Sequence, residues 1–242
     1  MTIRLCFWSG PRNISTAMMR AWENRADCAV WDEPFYGPYL VETGLDHPGR
    51  ETIVDAVPTD AGEIAARCAG DAPDGSPLFF QKHMCQHMLP GVPLDWMAEC
   101  RHAFLIRDPA HVAASFAATA GNATEADLGT ARQLELYETA RALTGQDWPV
   151  VDGHDVLANP EGILRALCAA LDVAFDTGML SWPAGRRESD GVWAPWWYER
   201  VEASTGFAPP RDSPHFLPET LEPVVAACRP AYEALKSRAL TA

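Results

Sequence analysis

Residues 3–22 read IRLCFWSGPRNISTAMMRAW, and this stretch decides the fold. Residues 3–8 form an almost continuous apolar run, which is typical of a strand buried on both faces of a parallel sheet. The run stops at Ser9-Gly10-Pro11, and from Ile14 onward apolar residues recur with helical spacing. The stretch therefore predicts a buried strand, a short loop and a helix.

The loop between this strand and helix is a candidate phosphate site. A helix N-terminus offers unpaired backbone N–H groups and the positive end of the helix dipole. Arg12 adds a permanent charge, and Ser15 and Thr16 add hydroxyl groups. The Gly-Lys pair that precedes the Ser/Thr of a Walker loop is absent, which disfavours an ordinary NTPase or kinase. The loop taken alone is equally compatible with a plain turn and helix cap.

The rest of the chain alternates strand and helix patterns. Further strands are predicted at residues 28–31, 77–81, 102–106 and 148–152. Helices are predicted near residues 61–68, 110–119, 125–143, 161–171 and 218–240. This alternation indicates an α/β fold of three layers, a mostly parallel sheet flanked by helices, in one domain over residues 1–242. Ligands of such sheets bind outside the carboxyl ends of the strands.

A second candidate phosphate motif lies in FLIRDPAHVAASF, residues 104–116. Arg107 stands at the carboxyl end of a predicted strand, Pro109 is a favourable first residue of a helix, and Ser115 lies within that helix. A surface arginine and an ordinary helical serine would explain this segment equally well on its own.

Taken together, the two motifs resemble those of the sulfotransferase superfamily, whose P-loop-type fold binds 3′-phosphoadenosine 5′-phosphosulfate (PAPS). The resemblance implies that the first loop grips the 5′-phosphosulfate and that Arg107 and Ser115 hold the 3′-phosphate. It also implies that a basic late loop, here Arg186 and Arg187, closes over the nucleotide. The first loop aligns without gaps and consists of Pro11, Arg12, Asn13, Ile14, Ser15 and Thr16.

Within the superfamily, the chain most resembles the sulfotransferase-like domain fused to aminotransferase-like proteins of plants. The shared features are the PR…ST loop, the DEP triplet at residues 32–34 and DGVWA…WWY at residues 190–198. One departure is Ile14, which stands where the family commonly has Gly, and Asn13 replaces Ser. This departure supports an alternative hypothesis, in which the domain binds a nucleotide or phosphorylated ligand without catalysis.

Sulfuryl transfer needs a base for the acceptor hydroxyl and positive charge for the leaving phosphate. The resemblance implies that Glu33, directly after the second strand, or His83, after the third, is the base. Lys82 and Arg12 are the candidates for stabilising the leaving phosphate. The structural alternatives are a capping or ion-paired Glu33 and a hydrogen-bonded His83.

Two other patterns have competing explanations. The run His83-x-Cys85-x-His87 would place three zinc ligands on one face of a strand, but no fourth ligand is evident. The aromatic residues Trp193, Trp196, Trp197 and Tyr198 would stack on adenine, line an acceptor pocket or pack the last helix.

The composition excludes several classes of binding partner and cellular setting. A net charge of −14 disfavours nucleic acid and anionic membranes. No stretch suits a membrane span or a signal peptide, and seven scattered cysteines without a C-x-x-C pair indicate reduced thiols. We therefore expect a cytoplasmic protein without a metal cofactor.

The sequence therefore predicts a sulfotransferase that moves a sulfuryl group from PAPS to a hydroxyl of a small-molecule acceptor. Residues 36–50 and 121–126 are expected to shape the acceptor site. The alternatives are the non-catalytic binding domain and, less favoured because the Walker Lys is missing, a divergent P-loop kinase.

Overall fold

The structure is a computed structural model that describes residues 2–120, 123–210 and 217–242. Five parallel strands form one sheet in the order β2-β3-β1-β4-β5. The strands are β1 (Ile3–Ser9), β2 (Cys28–Asp32), β3 (Leu78–Met84), β4 (Arg101–Ile106) and β5 (Val150–Asp152). The α/β prediction is confirmed.

Helices flank this sheet. They are α1 (Ser15–Glu23), α2 (Tyr36–Thr43), α3 (Arg50–Ala56), α4 (Ala61–Cys68), α5 (Pro109–Ala120), α6 (Glu125–Leu128), α7 (Thr130–Thr144), α8 (Gly153–Ala158), α9 (Pro160–Ala170), α10 (Ala194–Trp197), α11 (Glu199–Glu202) and α12 (Glu222–Lys236). Short 3-10 turns occupy Cys85–His87, Asp95–Glu99, Thr177–Leu180 and Glu219–Leu221. Among the residues that the structure describes, we find no helix with the length and apolarity that a bilayer crossing needs.

Side chains alternate between the two faces of the sheet, so each strand contributes to two cores. On one face, Phe7 packs on Phe80 at 5.3 Å between ring centroids, and Phe80 stacks on Trp22 of α1 at 5.5 Å. On the other face, Phe104 packs against Trp8 and against Tyr137 of α7. The helix that follows the first loop therefore covers one face, and α7 covers the opposite one.

The strand order brings the carboxyl ends of β1 and β4 side by side at the point where the chain changes direction across the sheet. Ser9, the last residue of β1, pairs with Leu105 of β4 and with Met84 of β3. On the outer side, Asp32 at the end of β2 pairs with Lys82. Such a reversal point is where open α/β sheets bind ligands.

The structure corrects several predicted bounds. β3 continues to Met84, so Lys82 and His83 lie within the strand and their side chains point to opposite faces. The predicted helix at 125–143 is two helices, because Gly129 adopts a left-handed φ of 65° between α6 and α7. The last helix is also shorter than predicted and follows a 3-10 turn. Of the predicted acceptor segment 121–126, residues Gly121 and Asn122 lie outside the described residues.

Candidate active site

The loop between β1 and α1 has the conformation of an anion-binding loop. Arg12 and Ile14 have φ angles of 58° and 46°, while Asn13 between them does not have a positive φ. Alternation of this kind points successive backbone N–H groups into one concavity. Ser15 and Thr16 then form the first turn of α1, whose N-terminus faces the same place. Ile14 thus takes up the left-handed conformation for which a glycine is usually selected.

Close contacts fix this loop from behind. The side-chain amide of Asn13 donates a hydrogen bond to the carbonyl oxygen of Leu105 at 2.7 Å. A Cβ atom on Gly10 would lie 2.6 Å from the carbonyl oxygen of Leu128, and one on Gly153 would lie 3.0 Å from Oδ1 of Asn13. Glycine is therefore needed at Gly10, and space is tight at Gly153. The loop that begins with Gly10 and Pro11 is held against β4, α6 and α8.

The two predicted phosphate motifs meet at Arg12. Its Nε donates a hydrogen bond to Oγ of Ser115 at 3.1 Å, and Nη1 of Arg107 donates one to the carbonyl oxygen of Arg12 at 2.8 Å. Burial lowers the pKa of both arginines, and Arg12 contributes to the lowering at Arg107, where Asp152 opposes it. Within the described residues, neither guanidinium has a carboxylate within 4 Å. Two partly buried cations therefore lie together without an ion-pair partner.

The predicted late basic residues, Arg186 and Arg187, belong to the segment before α10. The backbone N–H of Arg187 donates to Asp190 at 2.8 Å and its side chain to the carbonyl oxygen of Pro183 at 3.0 Å, while Arg186 is exposed. Arg200 of α11, in contrast, is close enough to Arg12 to lower its pKa. Sequence reasoning missed Arg200, because nothing in its local pattern marks it as different from other exposed arginines.

A buried ionic cluster lies at the carboxyl ends of β2 and β3. Nζ of Lys82 donates hydrogen bonds to Oδ1 of Asp32 at 2.8 Å, to Oε1 of Glu33 at 2.5 Å and to the hydroxyl of Tyr198 at 2.9 Å. The Tyr198 hydroxyl in turn donates to Oδ2 of Asp32 at 2.6 Å. All three N–H bonds of the ammonium group are therefore engaged inside this cluster.

The cluster contains two carboxylates for one ammonium group. Burial raises the pKa of Glu33, Lys82 lowers it and Asp32 raises it further, with a net upward shift. Burial alone would lower the pKa of Lys82, but Asp32 and Glu33 outweigh burial and hold it well above its ordinary value. Lys82 is therefore charged, and the pKa of Glu33 is raised, which is the direction that favours a proton acceptor.

The backbone at Glu33 is also unusual. Its φ is 40°, a left-handed conformation that costs a non-glycine residue about 1–2 kcal/mol. The conformation is fixed by a hydrogen bond from its N–H to the carbonyl oxygen of Lys82 at 2.9 Å and by one from the N–H of Tyr36 to its own carbonyl oxygen at 3.0 Å. Strained backbone of this kind is concentrated at functional sites.

His83 lies on the other face of the sheet from Lys82. It stacks on Trp8 at 4.4 Å between ring centroids, its Nε2 lies 3.2 Å from Oε1 of Gln81, and the residue is 1% exposed. Burial, with smaller contributions from His102 and Lys82, lowers its pKa to about 3. His83 is therefore a buried, neutral side chain on the face of the sheet opposite to Lys82.

The zinc alternative at His83, Cys85 and His87 requires all three to share a strand face. β3 ends at Met84, so Cys85 and His87 lie in a 3-10 turn, and His87 stacks on Tyr36 at 4.6 Å while His83 stacks on Trp8. In the described part of the chain, no group of three or more His, Cys, Asp and Glu side chains is placed to hold a metal ion.

The late aromatic residues pack over the buried ionic cluster. Trp193 contacts Tyr36 edge-on at 5.1 Å and donates an indole hydrogen bond to the Tyr198 hydroxyl at 3.2 Å. His47 lies 6.5 Å from Trp197 between ring centroids, and its pKa is lowered by burial while Asp127 opposes that shift. Parts of the two predicted acceptor segments, at His47 and Asp127, therefore lie near each other and near this aromatic group.

Comparisons with known proteins identify the family of the chain. A family model described as Sulfotransferase domain matches residues 3–239. Two proteins of Arabidopsis thaliana, branched-chain-amino-acid aminotransferase-like proteins 2 and 1, are each 33% identical over 95% of this chain. The chain spans about two fifths of their lengths, 40% and 41%.

Solved structures show the same fold at low sequence identity. A sulfotransferase from Alicyclobacillus acidocaldarius is 12% identical, with a TM-score of 0.54 over 99% of this chain and 98% of that one. The sulfotransferase domain of the olefin synthase of Synechococcus PCC 7002 is 16% identical, with a TM-score of 0.51 over 94% of both chains. These similarities extend over almost the whole chain.

Proposed function

Because the chain belongs to the sulfotransferase domain family, we propose that it transfers a sulfuryl group from PAPS to a hydroxyl of a small-molecule acceptor. One observation carries the choice of donor. Arg12 and Arg107 are partly buried, lie in contact, and have no carboxylate within 4 Å among the described residues. A cation pair of this kind needs an anion, and a bis-phosphorylated nucleotide supplies two.

The residues of the first loop would hold the 5′-phosphosulfate. The backbone N–H groups from Arg12 to Thr16 and the N-terminus of α1 point toward one place, and Arg12 adds its charge. Arg107 and Ser115, which contact Arg12 from β4 and α5, would hold the 3′-phosphate. Arg200 would add positive charge from the late segment, a role first expected of Arg186 and Arg187.

Glu33 would be the base. It accepts the proton of the acceptor hydroxyl as that oxygen bonds to sulfur and the bond between sulfur and the bridging phosphate oxygen breaks. The products are the sulfate ester and adenosine 3′,5′-bisphosphate. Lys82 uses all three N–H bonds within the cluster, so its role is to hold Glu33, and Arg12 neutralises the charge on the leaving phosphate.

Two further proposals concern the setting of the protein. All seven cysteines are free and buried thiols, which supports a reducing compartment such as the cytoplasm. A bridge between Val150 of β5 and Ala239 joins the sheet to the last residues, which supports one domain over residues 1–242. The net charge of −14 supports a partner other than nucleic acid or an anionic membrane.

The donor is tested by thermal shift with adenosine 3′,5′-bisphosphate, compared with ATP plus Mg²⁺. A ligand that binds only the folded state raises the melting temperature. We expect a shift with the bisphosphate at concentrations where ATP plus Mg²⁺ gives none, and a shift only with ATP would indicate a kinase.

Catalysis is tested by sulfate release from PAPS. Glu33→Gln keeps the shape of the side chain and should retain bisphosphate binding while slowing release about 100-fold or more, the range for general bases. No sulfate release by the wild-type protein would support the non-catalytic alternative, and an equal, measurable rate in the variant and the wild-type protein would rule out Glu33 as the base.

A further inference from the structure

The late segment, residues 186–202, makes a set of buried contacts that donor binding does not need. Asp190 forms a two-pronged ion pair with Arg20 of α1, at 2.6 and 2.7 Å, and both side chains are fully buried. The N–H of Gly191 donates to Oδ2 of Asp32 at 3.1 Å. The segment is therefore fixed both to the helix after the first loop and to the carboxylate beside Glu33.

These contacts place Tyr198 beside the buried ionic cluster of Asp32, Glu33 and Lys82. Its hydroxyl accepts hydrogen bonds from Lys82 at 2.9 Å and from the indole of Trp193 at 3.2 Å. The same hydroxyl donates a hydrogen bond to Oδ2 of Asp32 at 2.6 Å. The same oxygen lies 3.4 Å from Oε1 of Glu33. Among the residues that the structure describes, Tyr198 is therefore the one non-ionic side chain that contacts all three charged members of the cluster.

Asp32 and Glu33 compete for the same lysine. Each carboxylate accepts a hydrogen bond from one N–H of Lys82, and Asp32 also accepts a hydrogen bond from the hydroxyl of Tyr198. The hydrogen bond from Tyr198 stabilises the negative charge of Asp32, because Lys82 donates its two other N–H bonds to Glu33 and to Tyr198. Without it, Asp32 would attract Lys82 more strongly, and Oε1 of Glu33 would lose its short contact.

We propose that Tyr198 is a positioning residue for the base, which satisfies Asp32 so that Lys82 can hold Glu33 toward the acceptor. This inference rests on the proposed role of Glu33. The late segment thereby completes the base site through a residue distant in sequence from β2 and β3. The base is correctly held only while the late segment is docked through Asp190.

The test must read out the state of Glu33 itself. The groups that face Glu33 are Asp32 on its own strand end, Lys82 and His87 from β3 and the following turn, Tyr36 from α2, and Tyr198 from the late segment. His87 has a pKa well below its ordinary value because of burial, so it is neutral and contributes no charge. Lys82 stays charged, so a titration that disappears in Glu33→Gln is that of the Glu33 carboxyl group.

The side-chain carboxyl carbon of Glu33 can be followed by NMR in protein labelled with ¹³C-glutamate and assigned with Glu33→Gln. Tyr198→Phe removes only the hydroxyl, and we expect the titration midpoint of Glu33 to rise by about one pH unit, the size typical of one lost hydrogen bond to a buried charged group. Tyr137→Phe is the matched control, because Tyr137 is also buried and its hydroxyl has no hydrogen-bond partner in the described part of the chain. An unchanged midpoint in Tyr198→Phe, or an equal change in both variants, would overturn the proposal.

A second variant keeps the proposal testable if Tyr198→Phe does not fold. Asp32→Asn has the same shape and removes the competing charge, so the Glu33 midpoint should fall; a rise would contradict the scheme. In Tyr198→Phe, the rate of sulfate release from PAPS should begin to fall at a higher pH than in the wild-type protein as the solution is made more acidic. The affinity for adenosine 3′,5′-bisphosphate should stay unchanged. If the bisphosphate fails to bind even the wild-type protein, the proposed donor is wrong, but the NMR titration still decides the role of Tyr198.

Discussion

The side chain of Arg107 donates a hydrogen bond to the carbonyl oxygen of Arg12 across 2.8 Å. This contact joins the end of β4 to the loop after β1, two segments 95 residues apart. The residues proposed to hold the two phosphates of the donor are thus one connected unit.

Replacing Arg107 tests which phosphate it holds. Arg107→Ala should weaken binding of adenosine 3′,5′-bisphosphate about tenfold or more, the usual cost of one lost charged hydrogen bond, and change adenosine 5′-monophosphate binding much less. Calorimetric titration of both nucleotides measures the difference. Arg101→Ala, at the other end of the same strand, is the control and should leave both affinities unchanged. Equal losses for the two nucleotides in Arg107→Ala would remove the 3′-phosphate assignment.

The left-handed conformation of Ile14 predicts an inverted stability order. Ile14→Gly and Ile14→Ala both remove the packing of the side chain, but only glycine adopts φ 46° without strain. Ile14→Gly should therefore be more stable than Ile14→Ala by about 1 kcal/mol, although alanine is the better residue in a helix. Urea unfolding measures the two free energies. An alanine variant as stable as the glycine variant would mean that position 14 is not left-handed.

The buried pair of Arg20 and Asp190 should dominate the anchoring of the late segment. Asp190→Ala leaves the buried Arg20 charge with its 3.3 Å contact to Glu23 in place of the two-pronged pair, and we expect a loss of about 3 kcal/mol in the free energy of unfolding. Asp71→Ala removes a surface pair with Arg4 and should cost less than about 1 kcal/mol. Thermal or urea unfolding compares the two, and similar costs would show that the pair does not anchor the segment.

Buried histidines predict a loss of stability in acid. Burial lowers the pKa of His83 to about 3 and that of His102 to about 4, so in the folded state both remain neutral well below pH 6. In the unfolded state each takes up a proton near pH 6.5, so the free energy of unfolding falls by up to about 1.4 kcal/mol per pH unit per histidine as the pH drops toward 4. The raised pKa of Glu33 acts in the opposite direction between its unfolded and folded values.

His83→Gln removes one of these groups and should make the acidic decline shallower. Urea unfolding between pH 7.5 and 4.5 measures the slope in the variant and the wild-type protein. His154→Gln is the control, because His154 is exposed; it should leave the slope unchanged. A parallel decline in His83→Gln and the wild-type protein would contradict a neutral buried His83.

The strand, loop and helix units that carry the two candidate phosphate motifs were predictable, because an apolar run followed by a loop and helix has a local signature. That these motifs bind phosphate stays a prediction. The end of β3 was not predictable, since Lys82 and His83 are polar and, viewed alone, indicate the end of a strand. Both residues lie within β3 because Lys82 forms ion pairs with two carboxylates and His83 stacks on Trp8. Tyr198 was noticed only as one of several aromatic residues, and its partner Asp32 lies 166 residues away.

The position of Tyr198 in the chain has a consequence for the order in which the protein is made. The arginines proposed to grip the donor, Arg12 and Arg107, lie in the first half of the sequence, while Tyr198 and its anchor Asp190 leave the ribosome much later. A chain cut between Arg107 and Asp190 would carry the residues proposed to bind the nucleotide without the tyrosine proposed to hold the base in place.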